Sequence, residues 1–153
     1  MRHDSRLSRM LHVLIHLAEG GGRATSDEIA AMLDTNPVVV RRTMAGLRDH
    51  GYVQSEKGHG GGWSLAAPLA SIRLLDIHEA LGAPAPFALG LAHDDPDCLI
   101  ERAVNAHLSE AMAAAEALLR ARLAAVTLAD IAQDFRKRLA AGGRTRPVRG
   151  RSA

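Results

Sequence analysis

The one cysteine of this 153-residue chain, Cys98, sits in an acidic run, His93-Asp94-Asp95-Pro96-Asp97-Cys98, and His107 follows nine residues later. These side-chain types suit a divalent metal such as zinc, but no closed ligand motif fixes their spacing. Cys98 alone offers thiol chemistry. A position at a helix start favours the thiolate nucleophile, and three neighbouring aspartates oppose it. A small buried packing residue is the other reading. His12 and His16 stand at i and i+4, as metal-binding pairs do, without a third ligand nearby in sequence. Structural histidines explain them as well. No GxSxG or HExxH arrangement is present and no Ser-His-Asp set stands out, so the chain does not read as an enzyme. The glycine-rich run Gly58-His59-Gly60-Gly61-Gly62 lacks the GxxxxGK[ST] spacing, and no helix start follows it, so it does not read as a nucleotide-phosphate cradle.

A second set of residues offers charge and base recognition. Asn36, Val38, Val39, Arg41, Arg42 and Thr43 fall together, Thr25 and Ser26 precede them, and Lys57, His59 and Gly60 follow. The elements that position them are legible from periodicity. Residues 5–19 predict a helix capped by Ser5, with Leu7, Met10, Leu11, Leu14, Ile15, Leu17 and Ala18 at helical spacing, stopped by Gly20-Gly21-Gly22. Thr25 or Ser26 caps a second helix, with Glu28 in capping-box position, that buries Ile29, Ala30 and Leu33. After a turn at Asp34-Thr35-Asn36, Pro37 opens a third helix that buries Val40, Met44 and Leu47 and ends at Gly51. Short helix, tight turn, helix is the helix-turn-helix pattern. Tyr52-Val53-Gln54-Ser55 and Trp63-Ser64-Leu65-Ala66 predict a hairpin around the glycines, and a hairpin in that place is a wing.

A short helix is predicted over 74–81, then a loop over 83–96. From Cys98 to about Ala125 runs one helical stretch without Gly or Pro, roughly 40 Å long at ~1.5 Å per residue. Ile100, Val104, Leu108, Ala111, Ala115, Leu118 and Leu119 form an apolar stripe along it. A solitary helix of that length predicts pairing with its twin in a dimer. Thr127 caps a last helix, Leu128 to Leu139, with Leu128, Ile131 and Phe135 on one face. The expected class is mainly α with a small β wing, a winged helix-turn-helix plus a long dimerisation helix. The expected division is a winged helix-turn-helix domain at 1–82, a linker or sensor loop at 83–97, dimerisation helices at 98–139 and a disordered basic tail at 140–153.

Composition agrees with that class. Aromatics are 3% of the chain, so alanine and leucine must fill most of the core, which favours closely packed helices. The net charge of +2 hides an asymmetry. Residues 68–135 carry 4 Lys/Arg against 10 Asp/Glu, whereas residues 136–153 carry 7 against none. Such a tail either holds nucleic acid or solubilises a chain end. No apolar run approaches the ~20 residues of a membrane span, and the start lacks a signal-peptide pattern. With a single cysteine and no intrachain disulfide, a cytoplasmic location is expected.

The same residues carry a family resemblance. The opening helix, Asn36-Pro37-Val38-Val39-Val40-Arg41-Arg42, the wing string Gly58-His59-Gly60-Gly61-Gly62-Trp63-Ser64-Leu65-Ala66, Leu75-Asp76-Ile77-His78-Glu79-Ala80-Leu81 and Val126-Thr127-Leu128-Ala129-Asp130-Ile131 occur in order. Together, over about residues 5–133, they resemble the Rrf-two family of bacterial winged-helix transcription regulators. The specific part is the GxGGGxxLA wing followed by LxDIxEAL. The resemblance implies a DNA-binding repressor, homodimeric through 98–125, on a palindromic site, with no membrane partner.

In that setting the third helix enters the major groove by its N-terminal part. With Val40, Met44 and Leu47 inward, Arg41 and Thr43 are expected outward, and Arg42 and Val38 near the boundary. A bidentate arginine on guanine is worth ~1–3 kcal/mol of discrimination; contact with phosphate alone is the other reading. Thr25 and Ser26 suit phosphate donation at a helix N-terminus. The resemblance places the wing, with Lys57, His59 and Gly60, at the minor groove or its flanking phosphates. Some members hold an iron–sulfur cluster through three cysteines before and at the start of the long helix. Here Ala92, Asp95 and Asp97 occupy that loop and only Cys98 remains, a single-cysteine variant. No cofactor is therefore expected, and redox response through Cys98 is the leading reading of the signal. An iron–sulfur or divalent-metal site using Cys98 with His and Asp ligands is the alternative, and a protein-interaction module without DNA is a further one.

Overall fold

The computed structural model describes residues 4–144, and the expected tail beyond 144 lies outside the described residues. Helix α1 spans Arg6–Glu19. Ser5 holds the N-cap position, but its hydroxyl caps nothing. Asp4 does that work, accepting from the Arg6 N–H at 3.0 Å and pairing with the Arg6 guanidinium at 2.7 Å. That partner holds the Asp4 carboxyl down at about 2. Helix α2, Ser26–Leu33, starts on a full capping box: the Thr25 hydroxyl accepts from the Glu28 N–H at 3.2 Å, and the Glu28 carboxylate accepts from the Thr25 N–H at 2.8 Å. Asp34 turns the chain in the left-handed region, φ 52°, and α3 follows over Pro37–Asp49.

Strands β1, Val53–Glu56, and β2, Gly62–Leu65, pair antiparallel with Val53 opposite Leu65 and Glu56 opposite Gly62. Ala24 joins this hairpin from outside, bonding Trp63 in both directions at 3.0 and 2.8 Å. A short turn of 3-10 helix, Leu69–Ser71, leads to α4, Leu74–Ala80; α5, Leu99–Ala125; and α6, Leu128–Ala140. One core holds all of these but α5 together. Val13, Leu14, Ile29, Val40, Met44, Leu47, Val53, Ile72, Ile77 and Leu128 are all essentially inaccessible to solvent, and Trp63 is the one aromatic among the buried residues. Leu33, expected in the core, is only half-buried.

The last two helices meet this core differently. Helix α6 places Leu128 and Ala132 in the core beside α1 and Ile72. The backbone ties it there, with Leu128 N–H on Ile72 O at 2.9 Å and Leu74 N–H on Val126 O at 3.0 Å. Helix α5 is the opposite case, 27 residues without one buried side chain. It meets the domain at its C-terminal part, where Arg120 pairs with Glu79 at 2.6 Å. Among the described residues, no helix is long and apolar enough to cross a membrane.

His16, half-buried on α1 with the His12 ring 4.6 Å away, has a consequence for stability. Burial, and secondarily the charge of His12, push its pKa below the ordinary histidine value of 6.5. The unfolded chain therefore takes up the proton first as pH falls. Stability from this group is complete above pH 6.5 and is lost as pH falls from there through the depressed folded value. Denaturant midpoints measured from pH 8 to 5 should decline over that window, and the decline should be smaller in His16→Gln.

Candidate nucleic-acid interface

The rotation of α3 is set by Val40, Met44 and Leu47, which lock one face into the core. What remains outside in its N-terminal half is Val38, Val39, Arg41 and Arg42. Arg42 is as free of the core as Arg41, rather than at its edge. Val38 and Val39 are 55% and 54% exposed and suited to apolar contact with a base edge such as a thymine methyl. Thr43 differs from expectation. It is half-buried, and its hydroxyl donates to Val39 O at 3.0 Å, because a mid-helix threonine reaches the carbonyl one turn back. Its proton is spent within the helix. Asn36 likewise uses Oδ1 to cap α3, accepting from the Val38 N–H at 2.8 Å, and keeps its amide NH2 for a partner.

At the start of α2 the two hydroxyls have separate fates. Thr25 donates to the Glu28 carboxylate at 3.0 Å and accepts the Glu28 N–H, so it is not available as a phosphate donor. Ser26 accepts from the Trp63 indole N–H at 2.9 Å, and its own proton stays uncommitted. That bond runs from the wing to the helix-turn-helix. Asp27, exposed in the same turn, sets a like charge against phosphate.

Lys57, His59 and Gly60 are exposed at the wing tip. Gly58 and Gly60 turn there with φ 92° and 76°, in the region that disfavours side-chain-bearing residues. One participant was absent from the expected set. Arg23 pairs with Glu56 at 2.7 Å and donates to Gly60 O at 2.7 Å, spanning the hairpin. An arginine after three glycines carries no motif; its role is visible only once 23–24 lie beside the wing.

The second candidate set does not converge. Cys98 is half-buried at the N-cap of α5, its N–H bonded to Asp95 O at 3.0 Å, while His93, Asp94, Asp95, Asp97 and His107 are all exposed. Among the described residues no three His, Cys, Asp or Glu side chains gather as a metal site, around Cys98 or around His12 and His16. One thiolate without gathered partners does not fit an iron–sulfur cluster, which is held mostly by thiolates.

Comparison with known proteins agrees with this geometry. YwnA of Bacillus subtilis (strain 168), described as an HTH-type transcriptional regulator, is 28% identical over 128 residues, covering 84% of this chain and 95% of YwnA. A solved structure described as a transcriptional regulator from Lactobacillus plantarum is 26% identical, with a TM-score of 0.70, over 86% of this chain and 90% of that one. The Bacillus subtilis cysteine regulator CymR, 24% identical with a TM-score of 0.56 over 87% and 98% of the two chains, shares the fold. Residues 3–134 match the Rrf2 (Rrf-two) family model, described as an iron-dependent transcriptional regulator. That family comprises regulators rather than enzymes, and the Cys98 region of this chain carries no gathered ligand set for iron. With its winged helix, the exposed face of α3 and a match across most of its length, the chain belongs to the Rrf2 family of transcriptional regulators.

Proposed function

We propose that this regulator binds a palindromic operator as a homodimer and acts as a repressor, with α3 in the major groove and the wing on the adjacent minor groove or its phosphates. The observation that carries the dimer is α5: 27 residues with no buried side chain, and Ile100, Val104, Leu108 and Leu118 between 45% and 76% exposed. Apolar side chains repeated on one face of a long helix are satisfied by a second helix. Two recognition helices about 34 Å apart then call for half-sites about 10 base pairs apart. In this reading Arg41 and Arg42, with Val38 and Val39, face base edges. Ser26, Lys57 and His59 serve the backbone or the minor groove, and Asn36 offers its amide.

Footprinting of the DNA upstream of its own gene tests the reading, with a symmetric protected region as the expected result. Absence of protection, or protection by a monomer, rejects it. Affinity should fall steeply with salt, since phosphate contacts release counterions. A protein-interaction module on the same scaffold would show no such slope. Arg41→Ala should lower affinity for the protected site by about tenfold or more and relax preference at one base position. Equal loss on specific and random DNA would assign Arg41 to phosphate. Cys98, at the N-cap of the proposed dimer helix, is the thiol through which oxidation would reach the spacing of the two recognition helices. Oxidant-sensitive binding that disappears in Cys98→Ser supports that part of the reading; identical affinities reject it.

A further inference from the structure

The glycines that let the wing approach a duplex also leave it loose. Four of the five residues from Gly58 to Gly62 are glycine, the residue that loses most conformational freedom on ordering. A hairpin of two four-residue strands is marginal by itself. The segment before α2 supplies what holds it. Ala24 pairs with Trp63, and Gly62 permits that approach, because a Cβ there would meet Ala24 O at 2.7 Å. Arg23 then reaches across the hairpin. Its guanidinium meets Glu56, the last residue of β1, at 2.7 Å and donates to the Gly60 carbonyl at the tip, also at 2.7 Å. A planar fork can satisfy a carboxylate and a carbonyl together, which an ammonium does less well.

We propose that Arg23 is a positioning residue for DNA binding: it fixes the height of the wing tip so that Lys57 and His59 reach the duplex while α3 occupies the groove. The proposal rests on the DNA reading above. Glu56 directly precedes Lys57, and its carboxylate would repel phosphate; pairing with Arg23 offsets that charge. The Arg23 and Glu56 side chains are 37% and 54% exposed, so the pair adds little to overall stability. Its effect is therefore separable from folding. The rival role, a direct phosphate contact by Arg23, competes with partners its donors already hold.

The test uses the full chain and the upstream fragment that wild-type protein protects. The double variant Arg23→Gln/Glu56→Gln removes the clamp at constant net charge. Expected are an unchanged thermal midpoint and faster amide exchange at Gly61, whose N–H bonds Gly58 O at 3.0 Å within the tip. Affinity should fall about tenfold, the order of one or two lost charge-assisted contacts. Adding Lys57→Ala and His59→Ala to that background should cost little more, although the same pair costs about tenfold in the wild type. Arg23→Lys should recover only part of the loss. Full additivity of the two sets, or unchanged exchange with unchanged affinity, overturns the proposal. A salt slope reduced by about one with unchanged Gly61 exchange overturns it too, in favour of direct phosphate contact. If wild-type protein protects no DNA, the operator reading fails and takes the proposal with it, a result distinct from a binding wild type with an unaffected variant.

Discussion

Val104→Asp combined with Leu108→Asp should give a folded monomer whose affinity for a two-half-site operator is lower by about two to four orders of magnitude. The magnitude follows from linkage. In a dimer, engagement of one half-site presents the second recognition helix at a high effective concentration, and a monomer forfeits that gain without losing any contact of its own. The fold should survive because Val104 and Leu108 are 50% and 45% exposed and no α5 side chain is in the core. Two aspartates facing each other across a helix pair would have to be desolvated together, which the apolar stripe could not offset. Sedimentation reports the mass, circular dichroism the fold, and a binding titration the affinity. An unchanged dimer mass moves the interface off this stretch of α5. A monomer with undiminished affinity removes the need for a dimer at the operator.

The elements were legible in the sequence wherever local chemistry decides them. Thr25 with Glu28, Asn36 with Pro37, and Thr127 at the last helix announce helix starts through side chains that can reach only their own first turn, and all three cap as that geometry demands. Ser5 fails the same logic because Asp4, one residue earlier, offers a charged acceptor to the Arg6 N–H. Burial on α3 was legible because Val40, Met44 and Leu47 follow helical spacing. The fate of individual hydroxyls was not. Thr25, Ser26 and Thr43 look alike as candidate donors, yet one closes a capping box, one accepts an indole N–H and one bonds back into its helix. Arg23 was invisible for a related reason: its partners Glu56 and Gly60 are more than thirty residues away, and only the pairing of Ala24 with Trp63 brings them together.

The fate of α6 is the long-range case with the largest thermodynamic effect. Chain order places Leu128–Ala140 after the long helix α5, so a division by sequence groups the two as dimerisation helices. The physics is decided by Leu128, fully buried, and by Ala132, 1% exposed, both packed into the core of the winged helix. The Arg73–Thr127 bridge and the Leu128 N–H bond to Ile72 O fix the register of that return. On the α1 side, Arg136 pairs with Glu19 at 2.6 Å, a partly exposed contact of small weight. Leu128→Ala should therefore destabilise the winged helix by about 2–5 kcal/mol, the range for truncating a buried leucine into a partly collapsed cavity. Phe135→Ala, at a half-buried site on the same helix, should cost less. Chemical denaturation followed by Trp63 emission reads the effect directly, because Trp63 is the sole tryptophan and lies in this core. A fragment ending at residue 97 should fail to fold cooperatively, since it keeps every residue proposed to face DNA but lacks Leu128 and Ala132. A stable, cooperatively unfolding fragment would return α6 to the dimerisation unit. Should the fragment fail and Leu128→Ala lower the midpoint, the long helix is an excursion between two parts of one domain, and any displacement of it is felt at both ends of that core.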